Sequence, residues 1–148
     1  MNKERIRPIV ICLFRRGDRI LVCEGFDTAK GERFARPLGG GVEFGEHSSD
    51  ALVREIREEI AAEVENLEMV GLLESIFNYE GDQGHEIVFV YDAECRDKEI
   101  YERGEIEGYE SGIDRAITAR WYSLEELKKK DTRLVPEGLP ELLSGLSL

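Results

Sequence analysis

With two histidines, three cysteines and one tryptophan in 148 residues, the sequence offers few soft metal ligands. Cys12, Cys23 and Cys95 are odd in number, far apart and set in apolar runs without a CxxC pair, so they read as buried reduced thiols rather than a disulfide framework or a zinc site. Long hydrophobic runs are missing too. The longest, residues 9–14 and 87–91, have strand length and fall far short of the roughly 20 apolar residues a membrane helix needs, which argues against a spanning protein. The opening Met1-Asn2-Lys3-Glu4-Arg5 lacks the apolar segment and cleavage site of a secretory signal, so a cytoplasmic location is expected. Bases are in deficit: 20 Lys and Arg stand against 32 Asp and Glu, for a formal net charge of −12. Such a field repels a phosphate backbone and argues against duplex nucleic acid as a partner. A local concentration of acids can still accept an anionic substrate when divalent cations sit between them, and any metal here should be a hard one held by oxygen.

What is present suits one folded domain over residues 1–148, since the hydrophobic fraction of 41% can fill a core and the charged fraction of 35% can solvate a surface. Residues 8–14 and 19–23 are β-branched and apolar around Arg15-Arg16-Gly17-Asp18, which predicts a hairpin. Residues 25–36 read as a polar loop with Lys30, Arg33 and Arg36, running into Gly39-Gly40-Gly41. These three glycines are either a flexible turn or a backbone that a ligand can approach closely. Residues 48–64 carry the strongest helical signal, with Ser48 or Ser49 as N-cap, Asp50 in the first turn, and Val53, Ile56, Ile60 and Val64 as a core-facing stripe. A second hairpin is predicted for residues 68–79 and 85–95. The acidic, glycine-punctuated segment 97–119 predicts a long loop. Arg120-Trp121-Tyr122 reads as a short strand. Ser123 with Glu126 forms a capping box for a helix to about Lys130, and a short helix follows Pro140. The order of elements predicts an α+β sandwich, with helices covering a mixed sheet.

At about 100° per residue, Glu55, Glu58 and Glu59 fall on an arc of roughly 100° nearly opposite the apolar stripe. Like charges at these spacings repel by a few tenths of a kcal/mol per pair, a penalty that divalent cations reverse. Taken alone, the three glutamates suit a solvated acidic face as well as a metal site.

The spacing to the glycines decides between them. From Gly40, five residues lead to Glu46 and seven more to Arg54, followed by Glu55, Ile56, one residue, Glu58 and Glu59. This resembles the Nudix box, G-x5-E-x7-R-E-U-x-E-E-x-G-U with U a bulky aliphatic residue, over Gly40 to Ala62. Ala61 stands in place of the family glycine and Ala62 in place of the aliphatic residue. Alanine adopts the left-handed conformation poorly, so the helix is expected to run on to Val64 or Asn66.

The resemblance implies a Nudix-like α/β/α sandwich with a central mixed β-sheet, and a pyrophosphohydrolase that cleaves a nucleoside diphosphate linked to another moiety. It implies Mg²⁺ or Mn²⁺ held by Glu55, Glu58, Glu59 and the Gly40 carbonyl, with Arg54 and Glu46 in support. Glu55 is then the first candidate for the proton acceptor, and Glu105, Glu107 or Glu110 the candidates outside the box. Arg33, Arg36, Gly39, Gly40 and Gly41 are expected near substrate. A homodimer is the expected assembly by the same resemblance.

Among the lesser signals, Lys30 with Arg33 and Arg36 suits a phosphate contact or a solvated loop equally. His47, His85 and Glu86 read as structural or surface residues with a share in binding as the alternative, and Phe26, Phe34, Phe77, Tyr79, Tyr101 and Tyr109 as packing residues or base-stacking platforms. Two other functional classes fit the same chain: a Nudix-fold protein that senses a nucleotide without cleaving it, and an acidic interaction module that binds no Mg²⁺.

Overall fold

The computed structural model describes residues 4–110 and 115–146; the middle of the 97–119 segment and both chain ends lie outside the described residues. A four-stranded sheet has the order β5-β1-β7-β6, from β1 (Ile6–Leu13), β5 (Gly39–Gly41), β6 (Val64–Tyr79) and β7 (Asp82–Cys95). It is mixed: β1 runs parallel to β7, while β5 and β6 are antiparallel to their neighbours. The second sheet has the order β10-β4-β3-β9-β8, from β3 (Arg19–Asp27), β4 (Glu32–Pro37), β8 (Glu105–Tyr109), β9 (Ala116–Ser123) and β10 (Thr132–Leu134), with the two-residue β2 (Arg15–Arg16) paired to β3. β4 belongs to one sheet and β5 to the other. Only Leu38 separates them in sequence, and its carbonyl accepts from Cys12 N–H at 2.8 Å.

The helices cover the sheets and give the expected α/β/α order. α1 (Ser48–Ile60) contributes Ala51, Leu52 and Ile56 to a core with Val10 and Cys12 of the four-stranded sheet, Phe14 just past β1, and Leu21 and Trp121 of the second sheet. α2 (Leu124–Lys129) and α3 (Leu139–Ser144) pack Leu127 and Leu139 into a second core with Ile9, Ile11, Val88 and Val90. Each fully buried Leu or Ile contributes about 1.5–3 kcal/mol. The capping box of α2 is present, Ser123 Oγ accepting from Glu126 N–H at 3.1 Å. Among the described residues, no helix is long and apolar enough to cross a membrane.

Several sequence expectations are corrected. Residues 8–14 and 19–23 do not form a hairpin, because β1 pairs with β5 and β7, and only Arg15 and Arg16 turn back on Arg19 and Ile20. The core takes up β1 whole, leaving the hairpin to its polar end. Residues 25–36 are not a loop but the tip of the β3–β4 hairpin, whose turn Asp27 holds by accepting from Ala29 N–H at 3.0 Å and Lys30 N–H at 3.2 Å. The three glycines form a strand, not a flexible turn. The 97–119 segment contains a 3-10 turn (Lys98–Tyr101) and the strand β8.

The helix end is a further correction. α1 stops at Ile60 because Ala61 itself adopts the left-handed conformation, with φ 54° and ψ 38°, and its N–H reaches back to the Arg57 carbonyl. Here alanine takes the role reserved for glycine, and Val64 opens β6. The N-cap position is His47, without a side-chain cap; Ser48 Oγ lies 2.7 Å from Tyr91 Oη instead.

Candidate functional site

The glutamates of α1 do not all lie opposite the core. Glu55 and Glu59 are buried beside Ile56, at 4% and 5% exposure, because the neighbouring strand β5 is entirely glycine and leaves room for carboxylates where side chains would stand. A Cβ on Gly40 would lie 2.4 Å from Glu55 Cδ, and one on Gly39 would lie 2.0 Å from the Val10 carbonyl oxygen. The Gly39 N–H donates to Glu59 Oε1 at 3.0 Å. Burial, reinforced by the nearby Glu55 carboxylate, pushes Glu59 up to about 8. Glu58 is more exposed and turns toward a cleft of about 470 Å³ that Glu55 and Arg54 also line.

Arg54 organises this acid face. Its Nε and Nη2 grip the two Glu46 oxygens at 2.8 and 2.9 Å, and Nη2 also reaches the Gly41 carbonyl at 2.9 Å. Its Nη1 donates to Glu55 Oε1 at 3.0 Å and to Glu58 Oε1 at 3.2 Å. The bidentate pair, aided by the Glu43 N–H, holds the Glu46 carboxyl down at about 2, and Glu46 in turn keeps the guanidinium charged. Among the described residues, no group of three or more His, Cys, Asp or Glu side chains is drawn together as a metal cage. The guanidinium bridging Glu55 and Glu58 supplies the positive charge between them.

The donor set fits a hard divalent cation: carboxylates on successive turns of one helix, next to a strand whose backbone is bare. Residues far from the box in sequence join it. Gly108 of β8 abuts α1, since a Cβ there would lie 2.0 Å from the Glu59 carbonyl oxygen. Alternation along β8 points Ile106 and Gly108 toward α1, with Glu110 next on that side, whereas Glu105 and Glu107 face away. Glu105 pairs with Arg120 at 3.1 Å, and the charge of Glu110 is felt at Glu59. Of the three glutamates considered outside the box, only Glu110 acts electrostatically on Glu59, and its carboxylate lies 3.7 Å from Arg115.

The basic residues divide as well. Arg36 is close enough for its charge to act on Glu59. Arg33 donates to the Lys130 carbonyl at 3.4 Å, beside β10, and Lys30 lies 3.6 Å from Asp27 and from Glu32, so neither is brought to the carboxylates. Arg5 and Arg7, which the sequence did not single out, border the cleft, and the Arg7 guanidinium pairs with Glu86 at 3.5 Å. Of the other residues considered, Tyr101 packs on Trp121 and accepts from Cys95 N–H at 2.8 Å, a core role. His85 pairs with Glu74 at 3.1 Å, and Phe34 meets Tyr79 edge to face at the hairpin tips. Phe26 and Tyr109 are exposed.

Comparison with known proteins bears on this arrangement. NAD-capped RNA hydrolase NudC of Pseudomonas aeruginosa is 35% identical over 127 residues, covering 83% of this chain and 38% of that protein. NAD-capped RNA hydrolase NudC of Pseudomonas putida is 45% identical over 71 residues, covering 45% of this chain and 24% of that protein. The chain thus spans well under half the length of these curated relatives. Among solved structures, the MutT NUDIX hydrolase from Burkholderia pseudomallei superposes with a TM-score of 0.67 at 21% identity, over 97% of this chain and 100% of the other. A NUDIX hydrolase from Nitrosomonas europaea gives 0.62 at 16%, over 95% and 87%. These two share the fold. The model of the NUDIX domain family matches from residue 4 to residue 142, and the chain belongs to that family.

Proposed function

We propose that this protein is a divalent-metal-dependent pyrophosphohydrolase that cleaves a nucleoside diphosphate linked to another moiety by attack of water on phosphorus. The observation that carries the reading is the seating of Glu55 and Glu59 against the bare backbone of Gly39 and Gly40, with Glu58 beside them on the cleft. Burying two carboxylates at such close range is costly unless a cation offsets it. Mg²⁺ or Mn²⁺ would be held by Glu55, Glu58, Glu59 and the Gly40 carbonyl. The chemistry such a cation would supply is neutralisation of pyrophosphate charge and activation of water.

The chain's own side chains do the rest. Arg54, fixed by Glu46 and the Gly41 carbonyl, orients Glu55 and Glu58. Glu55 is the first candidate to accept the proton of the attacking water, and Glu110 the second, supported by its side of β8 and its charge at Glu59. Arg36 supplies positive charge near Glu59 for substrate phosphate, and Gly39, Gly40 and Gly41 let that phosphate approach the backbone. The free thiols of Cys12, Cys23 and Cys95 support a reducing, cytoplasmic setting. By likeness to the family we take the assembly to be a homodimer.

The relatives' names direct the choice of substrates. Purified protein with Mg²⁺ or Mn²⁺ is tested on NAD-capped RNA, ADP-ribose, nucleotide sugars, dinucleoside polyphosphates and oxidised nucleoside triphosphates. Release of a nucleoside monophosphate or a 5′-monophosphate RNA end is expected from at least one, with ¹⁸O water marking the phosphorus attacked. Glu58→Gln or Glu59→Gln abolishes it. Full activity in both variants would remove the metal assignment.

A further inference from the structure

α1 covers one end of the four-stranded sheet, where Val10 and Tyr91 are buried beneath it. Toward the other end the same face runs out from under the helix. The register sets Ile6 beside His85 and Pro8 beside Ile87, and sets those two β7 residues beside Ile76 and Glu74 of β6. Paired residues share a face, and the alternate set turns away, Leu73 and Val88 joining the second core. Leu72 pairs with Phe89 and Met69 with Tyr91, so the bulge between Met69 and Gly71 keeps Met69 and Leu72 on the α1 side.

The outcome is an apolar sheet face open to solvent. Ile6, Met69, Leu72 and Ile76 are 57%, 52%, 60% and 56% exposed, and they are half of the eight large hydrophobic side chains that stand exposed among the described residues. Scattered singly, such side chains need no explanation; four on one sheet face do. Together they bare roughly 400 Å² of apolar surface, about half of what one partner brings to a standard interface. Pro8, Ile87 and Phe89, in the same rows, extend it.

Charge decides what can cover this face. In a chain of net charge −12, a second copy is repelled over most of the surface. Here the ionisable groups are Glu74 and His85, and they pair with each other at 3.1 Å. Two copies can therefore meet on this face with little like-charge repulsion. Its outer strand, β6, is also the edge of the sheet, so no further strand among the described residues stands in the way.

We propose that this face packs against the same face of a second copy across a two-fold axis. A patch that meets itself closes on a dimer instead of growing into a fibre. The dimer so formed rests on the homodimer of the proposed function and gives it a surface, while standing apart from the hydrolase chemistry. Ile6 and Pro8 also line the cleft, so the partner copy comes to stand beside it.

Sedimentation equilibrium of the full chain over about 1–100 µM is the test. Wild type is expected to be dimeric at the upper end of that range. Leu72→Glu/Ile76→Glu is expected to raise the dimer Kd about tenfold or more, with a melting temperature within a few degrees of wild type because both residues are exposed. Mixing it with Leu72→Lys/Ile76→Lys should restore association, since opposite charges then face each other across the axis. Hydroxyl-radical footprinting of wild type needs no substitution: Met69, Leu72 and Ile76 should be oxidised less at the upper concentration than at the lower.

A wild type that stays monomeric to about 100 µM overturns the proposal. So do acidic variants that dimerise as tightly as wild type, or footprints that do not change with concentration. If wild type is monomeric and Leu72→Glu/Ile76→Glu raises the KM for a nucleotide, the face belongs to substrate. Turnover plays no part in sedimentation, so a chain that dimerises through this face and cleaves nothing fails the hydrolase reading alone.

Discussion

The backbone N–H of Gly39 donates to Glu59 Oε1 at 3.0 Å, tying the last full turn of α1 to the edge strand β5. Next to it, Gly40 stands against the Glu55 carboxylate. Two adjacent glycines are therefore needed for different reasons, and the difference can be measured.

Gly39→Ala should damage the fold. Its Cβ would lie 2.0 Å from the Val10 carbonyl oxygen and 2.8 Å from Ile11 Cα, both main chain, at a φ of 153°. A loss of about 3 kcal/mol or more is expected in denaturant melts. Gly40→Ala meets only the end of a side chain, so its melting temperature stays within a few degrees while metal affinity and turnover fall about 10–100-fold as Glu55 is pushed aside. Equal effects on stability from the two variants would contradict this division.

Metal binding should release a proton below about pH 8. Glu59 is raised from 4.5 to about 8 by burial first and by Glu55 second. Between these values the folded chain keeps a proton that the unfolded chain has lost. Metal-free stability therefore falls as pH rises through that window and levels off above it. A cation needs the ionised form, so apparent affinity climbs by up to about tenfold per pH unit and flattens above pH 8. Calorimetry in buffers of different ionisation enthalpy counts the protons; a count of zero at pH 7 would remove Glu59 from the ligand set.

Among the three glutamates outside the box, only Glu110 should affect the rate. Glu110→Gln is expected to lower kcat about tenfold or more, whereas Glu107→Gln, on the opposite side of β8, stays within about twofold. A larger loss in Glu107→Gln would reverse the assignment.

Ala61→Gly should stabilise the protein. Ala61 sits at φ 54°, where a side chain costs about 1–2 kcal/mol, and part of that gain is offset by the greater freedom of glycine in the unfolded chain. A net gain of about 0.5–1 kcal/mol, or roughly 2–4 °C in melting temperature, is expected. No gain, or a loss, would show that the left-handed residue carries no strain.

That same residue marks where reading the sequence stops working. Alanine's reluctance to turn left-handed predicted that α1 would run on past Ala61, but the helix has to end where β6 joins the sheet, and this tertiary demand outweighs the local cost at one alanine. The spacing from Gly40 through Glu46 to Arg54 was legible because it joins positions on one continuous strand, loop and helix. The burial of Glu55 and Glu59 was not, because helical periodicity assumes that apolar residues face the core. It cannot see a strand of three glycines that leaves room for carboxylates. The partnership of β1 with β7, 79 residues away, was equally hidden.

The Leu38 junction has a mechanical consequence. A single ribbon of chain is woven into both β layers, and the amide that anchors Glu59 lies one residue past the crossing. Any shear of one layer over the other is felt as tension at that anchor, so the spacing between the helix and its glycine floor reports on how the layers slide. Slow exchange of the Gly39 amide with deuterium is accordingly the most local gauge of whether the carboxylates are held ready.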